Sequence, residues 1–272
     1  MALISIDMEK CIKDAACAAE CPVKIIHFQG DFPRAVDGME GFCINCGHCV
    51  AVCPTGALTH KNLAPEECPG IEPELAITPE QTEQFLRSRR SIRAYKKKPV
   101  EKELLSKVIS LASHAPSGHN TQPVKWHVIH DRDELTKLCG HVVDWMRWMI
   151  KEQPQAAALL ELDMVVKGHE AGMDIITRDA PHLILAHGRK DNPMAPPACT
   201  IALTWLELAF PSFGLGGCWC GFFNAAAMFW PPLQKELGLE DGHISYGAMM
   251  VGYPRYSYHR MPPRNVPVIT GI

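Results

Sequence analysis

The spacing of the cysteines near the amino terminus constrains this chain more than any other feature. Seven of its twelve cysteines lie within the first 53 residues, and four of them read C-x2-C-x2-C-x3-C-P: Cys43, Cys46, Cys49 and Cys53, followed by Pro54. This spacing is typical of the thiolate ligands of a cubane iron–sulfur cluster. The sequence therefore predicts that this segment binds such a cluster.

A second, incomplete copy of the run lies upstream. Cys11, Cys17 and Cys21, with Pro22, keep its first, third and fourth positions, and Asp14 stands where the second cysteine is expected. In two-cluster proteins the fourth cysteine of each run binds the other cluster. The predicted ligand sets are Cys21, Cys43, Cys46 and Cys49 for one cluster, and Cys11, Asp14, Cys17 and Cys53 for the other.

Asp14 leaves two interpretations open. Carboxylate oxygen is a harder donor than thiolate, so an iron atom bound at Asp14 would be held weakly. The cluster there would then be either [4Fe-4S] or [3Fe-4S]. Alternatively, Asp14 is a solvated loop carboxylate beside a water-filled coordination position.

Zinc and disulfides fit the cysteines less well. Structural zinc favours two C-x2-C pairs separated by a longer loop. Disulfides need an oxidising compartment, whereas Met1 to Cys11 contains acidic residues and no long apolar stretch that could act as a secretory signal. With a net charge of −3 and no apolar segment of membrane-spanning length, the chain is predicted to be cytoplasmic, with neither nucleic acid nor membrane as a partner.

A segment rich in proline and glycine predicts a domain boundary. Pro65, Pro69, Gly70 and Pro73 favour a linker over a helix or strand. We therefore expect an iron–sulfur domain with its linker at residues 1–77 and a second domain at residues 78–272. Cys68 lies in the linker, outside both runs, and is expected to pack against the clusters, with a ligand role left open.

The second domain is predicted to mix helices and strands. It opens with Thr78 as N-cap, Pro79 at the first helical position and Gln81 at the capping-box position. Apolar periodicity predicts helices at 101–114, between 135 and 177 with a break near Pro154, at 198–210 and at 232–237, and strands at 125–130, 182–187 and 244–252. The glycine-rich stretch 214–222 is predicted to be a turn. The predicted fold class is therefore α+β. The G-x-G-x-x-G pattern of a dinucleotide-binding domain is absent from the sequence.

Four motifs of the second domain resemble the nitroreductase family of FMN enzymes. In chain order they are Arg89-Arg90-Ser91-Ile92-Arg93, the stretch Ala115 to Pro123 (APSGHNTQP), the stretch Gly214 to Trp219 (GLGGCW), and Gly252-Tyr253-Pro254 followed by Arg260. The similarity spans residues 85–272, and the whole chain resembles nitroreductases with an N-terminal two-cluster ferredoxin domain. It implies a ferredoxin-like 2×[4Fe-4S] domain, an FMN domain with a mixed or antiparallel sheet flanked by helices, and an intertwined homodimer.

The resemblance also implies which residues bind FMN. Guanidinium groups bind phosphate through paired, charge-assisted hydrogen bonds. The phosphate would be held by Arg89, Ser91 and Arg260, with Arg90 and Arg93 lining the same stretch; taken alone, this run could also be an arginine-rich surface. The residues expected at the flavin ring are Pro116, Ser117, Gly118, Asn120 and Gln122, mainly toward the other subunit's flavin, and Cys218, Trp219, Cys220 and Gly221.

Several of these residues carry a second interpretation. Cys218 and Cys220 are expected to pack rather than to form a redox pair. His119 could donate a proton to the substrate, or only hydrogen-bond the backbone of its turn. Trp145 and Trp148 are candidates for lining the substrate pocket, although an apolar helical stripe is more often core.

The predicted function joins the two halves. Clusters move single electrons and flavins convert them to pairs, so the chain is predicted to pass electrons from a ferredoxin-type donor or NAD(P)H to a nitroaromatic, a quinone or an activated alkene. Two alternatives remain: a dedicated electron-transfer protein that docks on a larger redox complex, and a flavin-based redox sensor without rapid turnover.

Overall fold

The computed structural model describes residues 2–271 and divides into two compact units. One holds the chain up to Ile77 together with His119–Thr121, and the other holds Thr78–Gly118 and the chain from Gln122 onward.

The first unit is built from two similar halves. The first half contains β1 (Ile4–Ile6), α1 (Ala16–Glu20), and the hairpin of β2 (Ile26–Gln29) and β3 (Phe32–Ala35). The second half contains α2 (His48–Ala51) and β4 (Leu58–His60), and β4 pairs antiparallel with β1. A small core joins them, formed by Leu3, Ile4, Ile25, Ile26, Val50 and Leu58.

The second unit has one four-stranded antiparallel sheet. Its strands are β5 (Lys125–Ile129), β6 (His182–Arg189), β7 (Gly216–Trp219) and β8 (His243–Gly252), in the order β5-β6-β8-β7. Its helices are α3 (Pro79–Ser88), α4 (Lys102–Ala112), α5 (Arg132–Glu152), α6 (Pro154–Leu159), α7 (Leu162–Glu170), α8 (Ala195–Ala209), α9 (Gly221–Phe229) and α10 (Pro231–Leu237).

Both faces of the sheet are covered by helices. Successive residues of a strand point to opposite faces, so Leu183 and Leu185 of β6 pack with α5, α9 and α10, whereas Ile184 and Ala186 pack with α4 and α8. All four of these side chains are fully buried. A strand buried on both faces has no polar alternation, which explains the continuous apolar run of β6. The α+β prediction is confirmed.

Most predicted elements are present. The capping box at Thr78 is confirmed: its hydroxyl accepts the Gln81 N–H at 3.2 Å, and the Gln81 side chain accepts the Thr78 N–H at 2.8 Å. The predicted break near Pro154 separates α5 from α6. The glycine-rich stretch 214–222, predicted as a turn, instead forms β7 and the start of α9. A Cβ on Gly217 would lie 2.7 Å from the Phe210 ring, so glycine is needed there for close packing rather than for a turn.

Candidate functional sites

Four of the predicted ligand cysteines border one cavity of the first unit. Cys43, Cys46 and Cys49 of the complete run line it together with Cys21 of the other run, and His60 forms part of the same wall. We call this space the Cys43 cavity. It brings together the cysteines predicted to share a cluster, with the crossed contribution of Cys21.

The remaining four predicted ligands border a second cavity. Cys11, Asp14, Cys17 and Cys53 line it, with Phe28 and Thr55 among their neighbours. We call this space the Cys11 cavity. The carboxylate of Asp14 accepts the Ala16 N–H at 3.1 Å, which orients one of its oxygens at the start of α1.

The two runs share one backbone conformation. Lys13 (φ 62°) and Ala15 (φ 62°) flank Asp14 in the left-handed region, just as Asn45 (φ 52°) and Gly47 (φ 73°) flank Cys46. A residue with positive φ is uncommon outside glycine, so the same pair of such residues in both runs is a specific match. Asp14 therefore takes the backbone position that Cys46 takes in the complete run.

The thiols of each cavity influence one another. Burial raises the pKa of Cys49 to about 11, and the neighbouring charges of Cys46 and Cys43 add to this effect. Burial also raises the pKa of Cys17, and the charges of Cys53, Asp14 and Cys11 act in the same direction. Buried thiols this close together need a counter-charge to become thiolates, which iron supplies. The donors of both cavities fit iron–sulfur clusters.

Hydrogen bonds to the sulfur atoms differ between the cavities. In the Cys11 cavity, burial raises the pKa of Cys53, but hydrogen bonds with the Thr55 hydroxyl (3.7 Å) and the Ala57 N–H (3.3 Å) outweigh burial and leave the pKa lowered. In the Cys43 cavity, the His60 imidazole lies 3.5 Å from Cys43 Sγ, and burial lowers the pKa of this histidine. No spacing pattern in the sequence marks His60, because only tertiary packing brings it to Cys43. Cys68 borders neither cavity, and its thiol donates to the Ala64 carbonyl at 3.8 Å.

Six predicted site residues of the second unit border one cavity. We call it the Trp145 cavity. These six residues are Arg93, Trp145, Cys218, Trp219, Cys220 and Gly221. Sequence reasoning missed Arg178 and Phe222, which line the same space. Cys218 and Cys220 are buried and free, and Cys220 Sγ donates to the Ile176 carbonyl at 3.3 Å.

Backbone hydrogen bonding attaches the arginine run, residues 89–93, to strand β7 beside this cavity. The Ile92 N–H donates to the Gly217 carbonyl at 2.9 Å, and the Tyr95 hydroxyl donates to the Ile92 carbonyl at 2.7 Å. These bonds hold the half-buried Ser91 and the exposed Arg93 next to β7. The local structure therefore places the arginine run against the edge strand of the sheet.

Two arginines of the run have contrasting partners. Arg89 donates to Glu207 of α8 at 2.7 Å, and the Trp219 indole N–H donates to the other oxygen of the same carboxylate at 3.3 Å. Arg90 Nε is buried and has no hydrogen-bond partner within residues 2–271. A buried guanidinium N–H without an acceptor is costly, and a phosphate oxygen would satisfy it. The run therefore fits a phosphate group.

The other predicted flavin residues lie elsewhere. Pro116, Ser117 and Gln122 line a separate cavity with Trp126, and the Ser117 hydroxyl accepts the Gln122 N–H at 2.9 Å. Gly118 packs on Met194, where a Cβ would lie 2.5 Å from the sulfur.

His119 and Asn120 group with the first unit, and the Asn120 amide donates to the Asn45 carbonyl at 2.9 Å. Arg260 belongs to the exposed stretch 255–271. Trp148 is 42% exposed and packs against Trp230, away from the Trp145 cavity. One protomer therefore does not bring all the predicted FMN residues together.

No helix of residues 2–271 is both long and apolar enough to span a membrane.

Comparison with known proteins agrees with both units. The model of the Nitroreductase family matches residues 86–253, and that of a 4Fe-4S dicluster domain matches residues 3–54. A 7Fe ferredoxin of Hydrogenibacillus schlegelii is 46% identical over 61 residues, which are 22% of this chain and 74% of the ferredoxin. An NADH dehydrogenase of Thermus thermophilus is 29% identical over 196 residues, covering 65% of this chain and 90% of the relative.

Solved structures share the fold of the second unit. A nitroreductase from Bacteroides fragilis with bound FMN superposes with a TM-score of 0.58 at 20% identity, over 71% of this chain and 98% of its own. The two units thus define a nitroreductase-type domain preceded by an iron–sulfur domain. The chain belongs to the nitroreductase family and carries an N-terminal 4Fe-4S dicluster domain. It is an oxidoreductase of this family.

Proposed function

We propose that the chain passes electrons from a ferredoxin-type donor to a small electrophilic acceptor: a nitroaromatic, a quinone or an activated alkene. The observation that carries this proposal is the pair of four-donor cavities on the same chain as a nitroreductase domain. Clusters accept electrons one at a time, which suits a one-electron protein donor. NAD(P)H is the alternative donor, favoured by the relative named an NADH dehydrogenase.

Two clusters are proposed for the first unit, with the ligand sets that border its two cavities. The Cys43 cavity offers four soft thiolates, which suits a [4Fe-4S] cluster. The Cys11 cavity offers three thiolates and the Asp14 carboxylate, so one iron would be held by a harder and weaker donor. The related ferredoxin is named for seven iron atoms, the sum of a four-iron and a three-iron cluster.

Replacing Asp14 by cysteine will make the second cluster retain its fourth iron, because thiolate binds iron more tightly than carboxylate. Asp14 and Cys46 occupy equivalent backbone positions in the two runs. A thiolate at residue 14 will therefore take the ligand position in the Cys11 cavity that Cys46 takes in the Cys43 cavity. After exposure to air, the wild-type protein will show the EPR signal of an oxidised three-iron cluster, and Asp14→Cys will lose it and keep more iron. An equal signal in both proteins would contradict this assignment, and Asp14→Asn is the matched control.

FMN is proposed to lie against the arginine run and the Trp145 cavity. When bound, it takes up electrons singly or in pairs and delivers a hydride equivalent to an acceptor. Arg89, Arg90 and Ser91 would hold the phosphate, since Arg90 Nε is a buried donor without a partner in the part of the chain that the structure describes. Backbone N–H groups at Trp219 and Gly221 would stabilise negative charge on the ring, whereas the Cys220 N–H donates to the Ala248 carbonyl at 2.8 Å.

The walls of the Trp145 cavity favour a flat acceptor. Trp145 and Phe222 offer aromatic surface, and Arg93 and Arg178 offer positive charge at the same space. Planar molecules with electron-rich oxygen atoms, such as nitroaromatics and quinones, combine both requirements.

A homodimer is proposed on two observations. The predicted FMN residues are divided between separate cavities of one protomer, so a second copy could complete the site. Apolar side chains are also exposed on α8, where Ile201 is 37% and Trp205 45% exposed, and along the stretch 255–271, where Val266 and Val268 are 87% and 92% exposed. Apolar surface of this extent favours burial against a partner.

The donor is tested by following cluster and flavin absorbance anaerobically, with reduced ferredoxin in one cuvette and NADPH or NADH in another. We expect ferredoxin to reduce the flavin within seconds and the nicotinamides to act far more slowly. Turnover is then measured with nitroarenes and quinones. Rapid reduction by NADPH alone would assign the donor role to nicotinamide, and slow oxidation by every acceptor would overturn the enzyme proposal.

A further inference from the structure

His60 ends strand β4 and forms part of the wall of the Cys43 cavity. It is only 6% exposed, and its ring lies 3.5 Å from the sulfur of Cys43, measured from Nε2. An imidazole at this distance from a thiolate either donates an N–H to the sulfur or places a lone pair against it. Which of these occurs depends on which ring nitrogen carries the proton.

A hydrogen bond from the backbone determines which ring nitrogen of His60 carries the proton. Nδ1 of His60 accepts the N–H of Asn62 at 3.2 Å, so Nδ1 carries a lone pair and the proton of the neutral ring is on Nε2. Nε2 therefore donates to Cys43 Sγ. The Cys43 sulfur therefore faces an N–H donor. The other tautomer, with the proton on Nδ1, would lose the hydrogen bond from the Asn62 N–H.

The ring is also held in place. His60 and Leu63 exchange two backbone hydrogen bonds of 3.0 Å, which close the turn that carries Asn62. The Asn62 amide donates to the Asn45 side chain at 3.0 Å, and Asn45 lies in the loop between Cys43 and Cys46. The turn and the ligand loop are therefore one connected structure.

The other half of the unit lacks this donor. Cys11 matches Cys43 in the two runs, and counting onward from Cys21 and Cys53 makes Phe28 the counterpart of His60. Phe28 indeed lines the Cys11 cavity. The same position thus presents an N–H donor to one set of ligands and an apolar ring to the other.

We propose that His60 raises the reduction potential of the cluster bound in the Cys43 cavity through an Nε2–H···Sγ hydrogen bond to Cys43. Reduction adds one electron and no proton to the cluster, and part of the added negative charge falls on the thiolate sulfurs. A donor to sulfur becomes stronger as that charge grows, so it stabilises the reduced form more than the oxidised form. His60 acts through Cys43 and is a positioning residue, not a catalytic one.

The inference rests on the proposed cluster, and the experiment separates the two. Iron and sulfide per chain are measured first on holoprotein. Contents that correspond to two clusters, and that are equal in wild type and His60→Phe, establish that the Cys43-side cluster is present in both proteins. EPR-monitored redox titration then follows both clusters, whose signals differ because one ligand set contains Asp14. His60→Phe, which copies the Phe28 side, will make the one-electron reduction of the Cys43-side cluster about tenfold less favourable, a fall of about 59 mV. The other cluster will not shift.

Two further measurements complete the test. His60→Gln, whose amide can donate to the same sulfur, will restore at least part of the potential. In protein carrying ¹⁵N-labelled histidine, pulsed EPR of the reduced cluster will show coupling to one imidazole nitrogen. Because the exposed His48 also lines the cavity, the coupling is assigned to His60 by its persistence in His48→Gln. An unchanged potential in His60→Phe with full iron content, an equal shift of both clusters, or no nitrogen coupling would overturn the inference.

Discussion

Cys49→Ser will remove about half of the protein's iron and sulfide, because it takes one of four thiolates from one of two clusters. Cys49 lies on α2, where burial and the neighbouring thiols raise its pKa to about 11. A serine hydroxyl is a harder donor and loses its proton even less readily, so it will not replace the thiolate. Reduction by ferredoxin will be lost with the cluster, while FMN stays bound in the second unit.

Cys68→Ser is the matched control for this experiment. Its thiol lies in the same unit and packs against the same core, yet it borders neither cavity and donates to the Ala64 carbonyl. A serine can make the same bond, so iron, sulfide and flavin contents will equal those of the wild type. Loss of iron in this variant, or full iron in Cys49→Ser, would contradict the proposed ligand sets. Both are measured on anaerobically purified protein.

The sequence predicts the cluster unit well because its information is local. Ligand spacing is set by short loops, and the left-handed residues that flank Cys46 and Asp14 recur at the same positions in both runs. The start of α3 was predictable for a similar reason, since a capping box needs only Thr78 and Gln81. The ligand roles themselves stay predictions until iron is measured.

Long-range contacts were not predictable. His60 reaches Cys43 only after β4 pairs with β1, and no spacing rule connects the two residues. The glycines of β7 indicated a turn, yet they allow a strand to approach Phe210 and Met249 closely. Glu207 resembles any other polar residue of an apolar helix until α8 packs beside the arginine run. In each case tertiary packing outweighed local preference.

Arg89 and Glu207 form the buried ion pair whose disruption will have the largest effect on the second unit. Their side chains are 26% and 8% exposed. Removing one partner of a buried pair leaves an uncompensated charge, which costs about 3–5 kcal/mol, whereas replacing both by apolar residues is often close to neutral. Arg89 retains some water contact, so we expect values near the lower end of this range.

The affinity for FMN distinguishes the roles of Arg89 and Glu207. Arg89→Leu removes a proposed phosphate ligand, and a hydrogen bond to a charged group contributes about 1.5–3 kcal/mol, so the Kd for FMN will rise about 10- to 100-fold. Glu207→Leu keeps that arginine and frees its charge for phosphate, although Trp219 loses its acceptor. It will therefore destabilise the apoprotein but retain FMN far better than Arg89→Leu.

The double variant Arg89→Leu/Glu207→Leu gives the decisive comparison. Its apoprotein will regain most of the stability lost in either single variant, because no buried charge is left unpaired, yet its affinity for FMN will stay as low as that of Arg89→Leu. Urea unfolding of apoprotein and fluorescence titration with FMN measure the two quantities. Arg87→Leu is the surface control: it removes only the exposed pair with Glu83 and should change neither. If the double variant recovered FMN affinity along with stability, Arg89 would support the fold alone, and the phosphate would have to be held by Arg90 and Ser91 without it.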